Sequence, residues 1–315
     1  MRMAILFSKG FALFCRGLLI STLATVAGAE PRLFESSQIT PAGEYTTGIE
    51  GPAVDADGNL YVVNFGKRGT IGKLVAGASQ SQKALELPDG SVGNAIRFDP
   101  DGTMFIADYR THTIFDVKKG SLAPEVYFHS DLMNQPNDIT MARDGTIYAS
   151  DPHFKGRRGQ IWRIARSADG SVQGTVMRAA RPMGTTNGID LSPDEKTLYV
   201  GESNSGQVWA YSVQGAELTA ARLIRTFEPD TIDGIRTDVA GRLLIARIAR
   251  GMIAVMTPDG RLQHEVILRG SEPTNLAFGG VDGKTVFVSQ RQGGFIEAFR
   301  TDQEGREHCL QTRSC

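Results

Sequence analysis

The chain repeats one strand–turn–strand pattern six times, and this repeat restricts the fold more than any other feature of the sequence. Each unit opens with an oxygen-bearing side chain that stands 11 or 12 residues ahead of a large apolar residue. The closing residues follow one another at intervals of 44, 43, 51, 45 and 43 residues, a period typical of propeller blades with four short strands. The six pairs are Glu50 and Tyr61, Asn94 and Phe105, Asn137 and Tyr148, Asn187 and Tyr199, Asp233 and Leu244, and Asn275 and Phe287.

Within each unit the local pattern predicts strands rather than helices. An apolar-rich strand such as Ala95–Phe98 follows the oxygen residue, and a turn such as Asp57-Gly58 leads to a second strand such as Leu60–Val63. A third strand usually opens after glycine, as at Gly206, and the fourth is weakly marked. No segment sustains a helical period long enough for parallel α/β crossovers.

The repeat therefore predicts one all-β domain, a six-bladed β-propeller with four-stranded antiparallel blades over residues 30–302. The segment from Arg32 to Ser37 is expected to supply the outer strand of the last blade, and residues 303–315 form a polar C-terminal tail. Apolar residues of the second strands should fill the layers between blades. Five aromatic residues are assigned to this core: Tyr61, Phe105, Tyr148, Tyr199 and Phe287.

The first 29 residues have the composition of a cleaved signal peptide. Arg2, Lys9 and Arg16 precede or flank an apolar run from Gly17 to Ala27, and Ala27-Gly28-Ala29 has the small-x-small form of a signal-peptidase site. The run is too short and too close to that site to favour a membrane-spanning helix. We expect cleavage before Glu30 and a secreted or periplasmic protein with no membrane span in the mature chain.

Charge and cysteine content add little to a functional assignment. Cleavage would remove three of the 34 basic residues, leaving 31 against 35 acidic ones, and nothing in this balance suggests a nucleic-acid partner. Two cysteines, Cys309 and Cys315, would remain in the polar tail. An oxidising compartment permits a local disulfide there, whereas two unpaired thiols are the alternative because so short a loop is strained.

In a propeller the first strand of each blade is innermost, so the six oxygen residues should converge at one mouth of the central channel. Two carboxylates and four amides, with no thiol and no imidazole, suit a hard divalent cation. The competing explanation is that Asn and Asp only cap turns at strand starts. That explanation accounts for neither the common register nor Glu50, so we predict a metal-binding channel.

The motifs at these positions resemble the blade signatures of the gluconolactonase/senescence-marker-protein-30 family over roughly residues 45 to 300. The motifs are Glu50-Gly51-Pro52, Pro136-Asn137-Asp138, Asn187-Gly188-Ile189, Asp233-Gly234 and Pro273-Thr274-Asn275. The paraoxonases and diisopropyl fluorophosphatase share the architecture more distantly. The resemblance implies one channel cation, Ca²⁺ first and Mg²⁺, Mn²⁺ or Zn²⁺ as alternatives. Its implied ligands are Glu50, Asn137, Asn187 and Asp233.

The resemblance also implies hydrolysis of lactones or related esters. A cation with open positions polarises a carbonyl and orients water, and Asp233 is the candidate base in addition to its role as a ligand. His153, in the third-blade loop, is a second candidate catalytic residue, with an exposed loop histidine as the alternative.

Other residues near the mouth are assigned by position. Asn94 is expected on the substrate side or behind the ligands, and Asn275 in a structural role. Tyr109 and Arg110 occupy the second-blade loop and could contact an anionic substrate. Some sugar lactonases carry Arg two residues before the third-blade Asn, whereas this chain has Gln135, so the substrate contact and the preference for gluconolactone differ there.

Other catalytic signatures were sought and are missing from the sequence. There is no Gly-x-Ser-x-Gly elbow, His-Glu-x-x-His, Cys-x-x-Cys or P-loop, which disfavours covalent-serine and nucleotide chemistry. Two alternatives to a lactonase stay open. One is a non-catalytic propeller with a structural cation and a ligand or protein bound at the mouth. The other is a paraoxonase-, phosphotriesterase- or strictosidine-synthase-like enzyme on the same scaffold.

Overall fold

A computed structural model describes Met1 and residues 32–228, 231–248 and 250–315. The expected signal peptide, apart from Met1, lies outside the described residues. In the part that is described, no helix is long and apolar enough to cross a membrane.

The first three blades follow one another along the chain, after a short strand β1 (Ser37–Gln38) that belongs to the last blade. Blade 1 contains β2 (Tyr45–Val54), β3 (Leu60–Phe65), β4 (Thr70–Leu74) and β5 (Gln82–Glu86). Blade 2 contains β6 (Gly93–Phe98), β7 (Met104–Asp108), β8 (Thr113–Val117) and β9 (Glu125–His129). Blade 3 contains β10 (Ile139–Met141), β11 (Ile147–His153), β12 (Arg158–Arg166) and β13 (Val172–Val176).

The other three blades repeat the same up-and-down order, with one added strand in blade 4. Blade 4 contains β14 (Arg178–Ala179), β15 (Thr186–Leu191), β16 (Thr197–Glu202), β17 (Gln207–Gln214) and β18 (Glu217–Thr226). Blade 5 contains β19 (Thr231–Thr237), β20 (Leu243–Ile248), β21 (Met252–Met256) and β22 (Leu262–Ile267). Blade 6 contains β23 (Pro273–Gly279), β24 (Thr285–Gln290), β25 (Phe295–Arg300) and β1.

The prediction of an all-β, six-bladed propeller is confirmed, and one blade departs from four strands. Strand β14 pairs parallel to β18 and makes the fourth sheet five-stranded. Residues 177–185, which carry β14, lie within the longest interval of the repeat, the 51 residues from Tyr148 to Tyr199. The longer interval thus holds an extra edge strand rather than a longer turn.

The N-terminal segment closes the last blade, but its strand is shorter and later than predicted. Regular antiparallel pairing joins Ser37 to Ala298 and Gln38 to Glu297. Phe34 has a φ of 61°, a left-handed conformation that interrupts an extended strand, and Leu33 forms only an isolated parallel bridge with Arg300. The predicted range from Arg32 to Ser37 is therefore wrong except for its last residue.

The hydrophobic core is divided into layers, each lying between two neighbouring blades. Val63 and Ile71 of blade 1 pack with Ile96 and Ile106 of blade 2, for example. The layer between blades 6 and 1, with Ile49 against Ile296, completes the ring. Of the five aromatic residues assigned to the core, Phe105, Tyr148 and Tyr199 are buried, and Tyr61 and Phe287 are partly buried.

The predicted Asp/Gly turns join the inner strand of a blade to the next strand. In blade 1, Asp55 Oδ1 accepts hydrogen bonds from the backbone N–H groups of Asp57 and Asn59, at 3.0 and 2.8 Å. Gly58 takes a φ of 82°, which is costly for residues with a Cβ atom. These side-chain hydrogen bonds replace the backbone pairing that the chain loses as it reverses direction.

The C-terminal tail crosses the end of the channel at which the inner strands finish. Its helix α1 (Arg306–Thr312) packs against β19 and β23. Arg306 is buried, with its Nη2 2.9 Å from the carbonyl oxygen of Met141 and 2.8 Å from Glu195 Oε1. A disulfide joins Cys309 to Cys315, so the structure favours the paired alternative for these two cysteines. The predicted polar tail is thus a helix with a buried face.

Candidate metal centre and active site

The starts of the inner strands surround a cavity of about 330 Å³ at one end of the channel. Five of the six oxygen residues that open the repeats line this cavity: Glu50, Asn94, Asn137, Asn187 and Asp233. The sixth, Asn275, is buried and its neighbour Thr274 lines the cavity instead. The common register in the sequence therefore brings these side chains to one place.

Bulges in the inner strands aim these side chains into the channel. The pairing register shifts between Thr186 and Ile189, around Asn187, and between Ile232 and Ile235, around Asp233. Similar shifts lie on both sides of Glu50 in β2. A bulge leaves residues out of the strict alternation of a strand and redirects them.

Glycines that follow the ligand positions allow neighbouring inner strands to approach closely. Gly51 has a φ of 47°, and a Cβ atom there would lie 2.3 Å from the carbonyl oxygen of Asn94. At Gly188 a Cβ atom would lie 2.2 Å from the carbonyl oxygen of Asp233. Replacing either glycine would push the strands apart and move the side chains beside them.

Two amide oxygens in the cavity are buried without a hydrogen-bond donor among the described residues: Asn137 Oδ1 and Asn187 Oδ1. The rest of the Asn187 amide is fixed, because its Nδ2 donates to Ser203 Oγ at 2.8 Å and that hydroxyl donates to the carbonyl oxygen of Ile232 at 2.8 Å. A buried acceptor without a partner is rare and costs free energy. A cation bound in the cavity would be a suitable partner for both oxygens.

The two carboxylates of the cavity are strongly desolvated. Burial raises the pKa of Glu50 to about 7, although the backbone N–H of Gly51 donates to Oε2 at 2.7 Å. Burial, together with the negative charges of Glu50 and Asp138, raises the pKa of Asp233 well above its usual range. Arg291 favours the charged form of both carboxylates from a distance, but in the described part of the chain neither of them forms a salt bridge.

The donor set fits a hard divalent cation. Glu50 and Asp233 would neutralise two positive charges, and the free oxygens of Asn137 and Asn187 would supply neutral ligands. Among the residues described, no three His, Cys, Asp or Glu side chains cluster as metal ligands.

The structure brings some of the other expected residues to the cavity and leaves others outside. Asn94, Tyr109 and Gln135 line it, and Asn94 Nδ2 donates to the backbone oxygen of Asn137 at 3.2 Å. Arg110 and His153 are not among its lining residues. His153 Nδ1 instead accepts a hydrogen bond from the backbone N–H of Gly156 at 2.8 Å, and its neighbour Phe154 lines the cavity.

Several lining residues were missed by reasoning from the sequence. All lie near the end of a blade's second strand or just beyond it, four to seven residues after the closing apolar residue. Aligning the repeat units on that apolar residue would have indicated that these positions form a second ring above the oxygen residues. They are Arg68, Phe154, Asn204, Ile248 and Arg291.

A layer of paired charges lies beneath the cavity. Asp138, which follows Asn137, accepts from Arg236 Nη1 and Nη2 at 2.8 and 3.0 Å and from Arg97 Nη2 at 3.2 Å. Glu307 of α1 approaches the Nε atoms of both arginines, at 3.5 and 3.9 Å. The channel is thus filled by ion pairs on the side away from the cavity.

Comparison with known proteins agrees with this geometry. The family model described as "SMP-30/Gluconolactonase/LRE-like region" matches residues 49–292, which include all four proposed ligands. The chain belongs to the SMP-30/gluconolactonase/LRE-like family. The matched range includes five of the six inner strands completely and most of β2, together with all cavity-lining residues except Thr47 and Gly48.

Curated relatives differ in how much of their length the chain spans. The chain is 27% identical over 309 residues to a gluconolactonase of Zymomonas mobilis, with 85% of this chain and 84% of the relative covered. It is 26% identical over 229 residues to the adipocyte plasma membrane-associated protein of Mus musculus, covering 68% of this chain and 55% of that protein.

A solved structure shows the same fold. Regucalcin from Agrobacterium tumefaciens, described as a calcium-binding protein, superimposes with a TM-score of 0.68 at 20% identity. The match covers 85% of this chain and 97% of regucalcin.

Proposed function

We propose that this protein is a metal-dependent hydrolase of lactones. The observation that carries the proposal is the pair of donor-free amide oxygens beside two desolvated carboxylates in the channel cavity. Membership of a family with a gluconolactonase relative supports the choice of lactones over other esters.

Glu50, Asn137, Asn187 and Asp233 would hold one divalent cation, with Ca²⁺ as the first choice. Mixed carboxylate and amide oxygens drawn from four separate strands suit the loose oxygen coordination of Ca²⁺ better than the strict octahedron of Mg²⁺. The description of the regucalcin structure as calcium-binding supports this choice. When bound, the cation would polarise the lactone carbonyl and provide positive charge near the developing oxyanion.

The chain's own residues position the substrate and move one proton. Asp233 takes the proton of the attacking water, because burial and the charges of Glu50 and Asp138 raise its pKa well above the usual range of a carboxylate. Glu50 serves as a ligand, its Oε2 fixed by the N–H of Gly51. Asn94, Tyr109 and Gln135 line the space left for the ring of the lactone.

A structural cation in a binding protein is the second candidate, and one observation favours it. Among the described residues that line the cavity, the only carboxylates are Glu50 and Asp233, both proposed as ligands, and none is a histidine. Replacing Asp233 by Asn tests the role of Asp233 within the hydrolase. A hydrolase loses turnover in this variant, whereas metal binding and turnover that both remain intact would remove Asp233 as the base.

We also propose that the mature protein is secreted or periplasmic. The support is the signal-peptide composition of the first 29 residues and the Cys309–Cys315 disulfide, which is stable in an oxidising compartment. Fractionation of cells, with sequencing of the mature N-terminus, tests this.

The deciding experiment is hydrolysis of a panel of aldono-, γ- and δ-lactones, esters and phosphotriesters. The protein is first stripped with a chelator and then supplied with Ca²⁺, Mg²⁺, Mn²⁺ or Zn²⁺ separately. We expect Ca²⁺ to restore lactone turnover and Glu50→Gln to reduce kcat/KM by about 100-fold or more.

The matched control is Glu125→Gln, the same substitution at an exposed position of the outer strand β9, which should behave as the wild type. Tight Ca²⁺ binding measured by calorimetry, without turnover on any part of the panel, would contradict the hydrolase and favour the structural cation. Turnover of phosphotriesters alone would contradict the choice of lactones.

A further inference from the structure

The rim of the cavity is chemically asymmetric. Two arginines lie on adjacent blades, Arg68 in the loop after β3 of blade 1 and Arg291 in the loop after β24 of blade 6. Two aromatic residues lie on the next blades around the ring, Tyr109 after β7 of blade 2 and Phe154 after β11 of blade 3. The rim thus has a cationic sector and an aromatic sector.

The two arginines differ in how they are neutralised. Arg291 Nε and Nη2 contact the two carboxylate oxygens of Glu272 at 3.1 and 3.2 Å, so its charge is already paired. Arg68 is exposed and, within the described residues, takes part in no hydrogen bond or ion pair. The adjacent Lys67 turns to Glu86, with which it forms a salt bridge.

Once its carboxylates bind a cation, the cavity therefore keeps an excess of positive charge. Glu50 and Asp233 are the only acids among the described lining residues, and both lie at the floor. If they hold a cation, the guanidinium of Arg68 is left as an unmatched positive charge over the same cavity. A planar guanidinium with free N–H donors binds carboxylate, phosphate or sulfonate oxygens in a bidentate manner.

From this asymmetry we infer that the preferred substrates are lactones that carry an anionic group away from the reacting carbonyl, and that Arg68 binds this group. This inference rests on the proposed lactonase function and names the substrate class of the same site. With the carbonyl at the floor, the apolar face of the ring packs on Tyr109 and Phe154. The anionic substituent then extends to the sector of Arg68 and Arg291. Carboxylate, phosphate and sulfonate share the required chemistry.

The test compares lactones with one ring and different substituents: neutral gluconolactone, its 6-phosphate, its 6-sulfonate analogue and the lactone of glucaric acid. Each is assayed with wild-type protein, Arg68→Ala, Arg68→Lys and the matched control Lys67→Ala, which removes a cation one position away. Separate titrations measure binding of glucarate and gluconate to each variant by calorimetry.

We expect wild-type kcat/KM to be about tenfold higher for at least one anionic lactone than for gluconolactone, with the largest value naming the anion. Arg68→Ala should remove this preference by lowering kcat/KM about tenfold more for the anionic lactone than for the neutral one. Arg68→Lys should retain part of the preference, Lys67→Ala all of it, and high salt should weaken it.

The failures are distinguishable. If neutral and anionic lactones are hydrolysed equally well, or if Arg68→Ala affects both alike, the inference about Arg68 is wrong and the lactonase proposal stands. If no lactone is hydrolysed with any metal, the proposed function and this inference both fail.

Discussion

The two ends of the channel bury similar charged groups but satisfy them differently. At the end covered by α1, each carboxylate has an arginine as counter-charge: Asp138 lies between two arginines, and Asp190 and Glu195 face Arg306. Some atoms of these groups, Arg236 Nε, Arg306 Nε and Glu307 Oε2, still make no hydrogen bond within the described residues. At the cavity end, Glu50 and Asp233 have no salt-bridge partner in the described part of the chain, and two amide oxygens have no donor.

This difference separates a structural site from a binding site. Buried charges are tolerated where the chain supplies the partner, as around Asp138, and they remain costly where it does not. The end at which the carboxylates lack a salt-bridge partner is the end at which an external cation gains most by binding. Four predictions test this contrast, and they are arranged from the largest expected effect to the smallest.

Asp138→Asn should destabilise the protein, because it leaves Arg97 and Arg236 buried with one counter-charge fewer. Burial raises the pKa of Asp138 to about 8, which offsets part of this loss, but both guanidinium groups lose their charged acceptor. We expect the free energy of unfolding to fall by about 3–5 kcal/mol. Urea denaturation of the metal-free protein measures this. Asp131→Asn, at a carboxylate that is 96% exposed, is the control and should change little. A small loss at Asp138 would mean that the lower charge layer does not stabilise the fold.

Cys315→Ser should lower stability by about 2 kcal/mol, because the open chain gains conformational entropy when it unfolds. Since Cys309 and Cys315 lie at the end away from the cavity, Ca²⁺ affinity and turnover should stay within about twofold of the wild type. Thermal unfolding with and without a reductant gives the comparison. A loss of Ca²⁺ binding in this variant would show that the two ends are coupled.

Ser203→Ala should weaken cation binding without unfolding the protein. The change frees Asn187 Nδ2, so that Oδ1 is no longer held in its orientation. We expect the Kd for Ca²⁺ to rise about tenfold, as is usual for residues that orient metal ligands. Ser205→Ala, in the same turn but hydrogen-bonded only to the backbone of Glu202, is the control. Equal affinities in the two variants would exclude Asn187 as an oriented ligand.

When no metal is present, Glu50→Gln should change the free energy of unfolding in the opposite direction to Asp138→Asn. Burial raises the pKa of Glu50 to about 7, so above that pH the ionised carboxylate opposes folding. Removing its charge should raise the free energy of unfolding by about 1 kcal/mol at pH 8 in a chelator. With saturating Ca²⁺ the wild type should be more stable than the variant, because it then gains binding energy. A destabilised metal-free variant would mean that Glu50 is already satisfied by the chain.

The repeat made most of the fold and the floor of the site predictable. Oxygen residues in one register, each before an apolar strand, place Glu50, Asn137, Asn187 and Asp233 together once the blades form a ring. The choice of these four as ligands came from the family resemblance and remains a prediction.

The rim and the far end were less predictable for two physical reasons. Loop residues such as Arg68 carry only a weak periodic signal, because turns of different length place them four to seven residues after the closing apolar residue. The tail looked solvated because Arg306 and Glu307 are charged, yet their partners are distant in sequence: Glu195 lies 111 residues from Arg306. A charge that is neutralised over such a distance cannot be recognised from its neighbours in the chain.

The short strand β1 also affects how the protein reaches its native state. Ser36 and Glu297, hydrogen-bonded at 2.7 Å, are separated by 261 positions, so blade 6 cannot be completed until almost the whole chain has been made. Pairing of such high contact order is slow, and until it occurs the edge of β25 is open to pairing with other chains. Ring closure is therefore the step at which refolding should compete with aggregation, and dilute protein should recover in higher yield than concentrated protein.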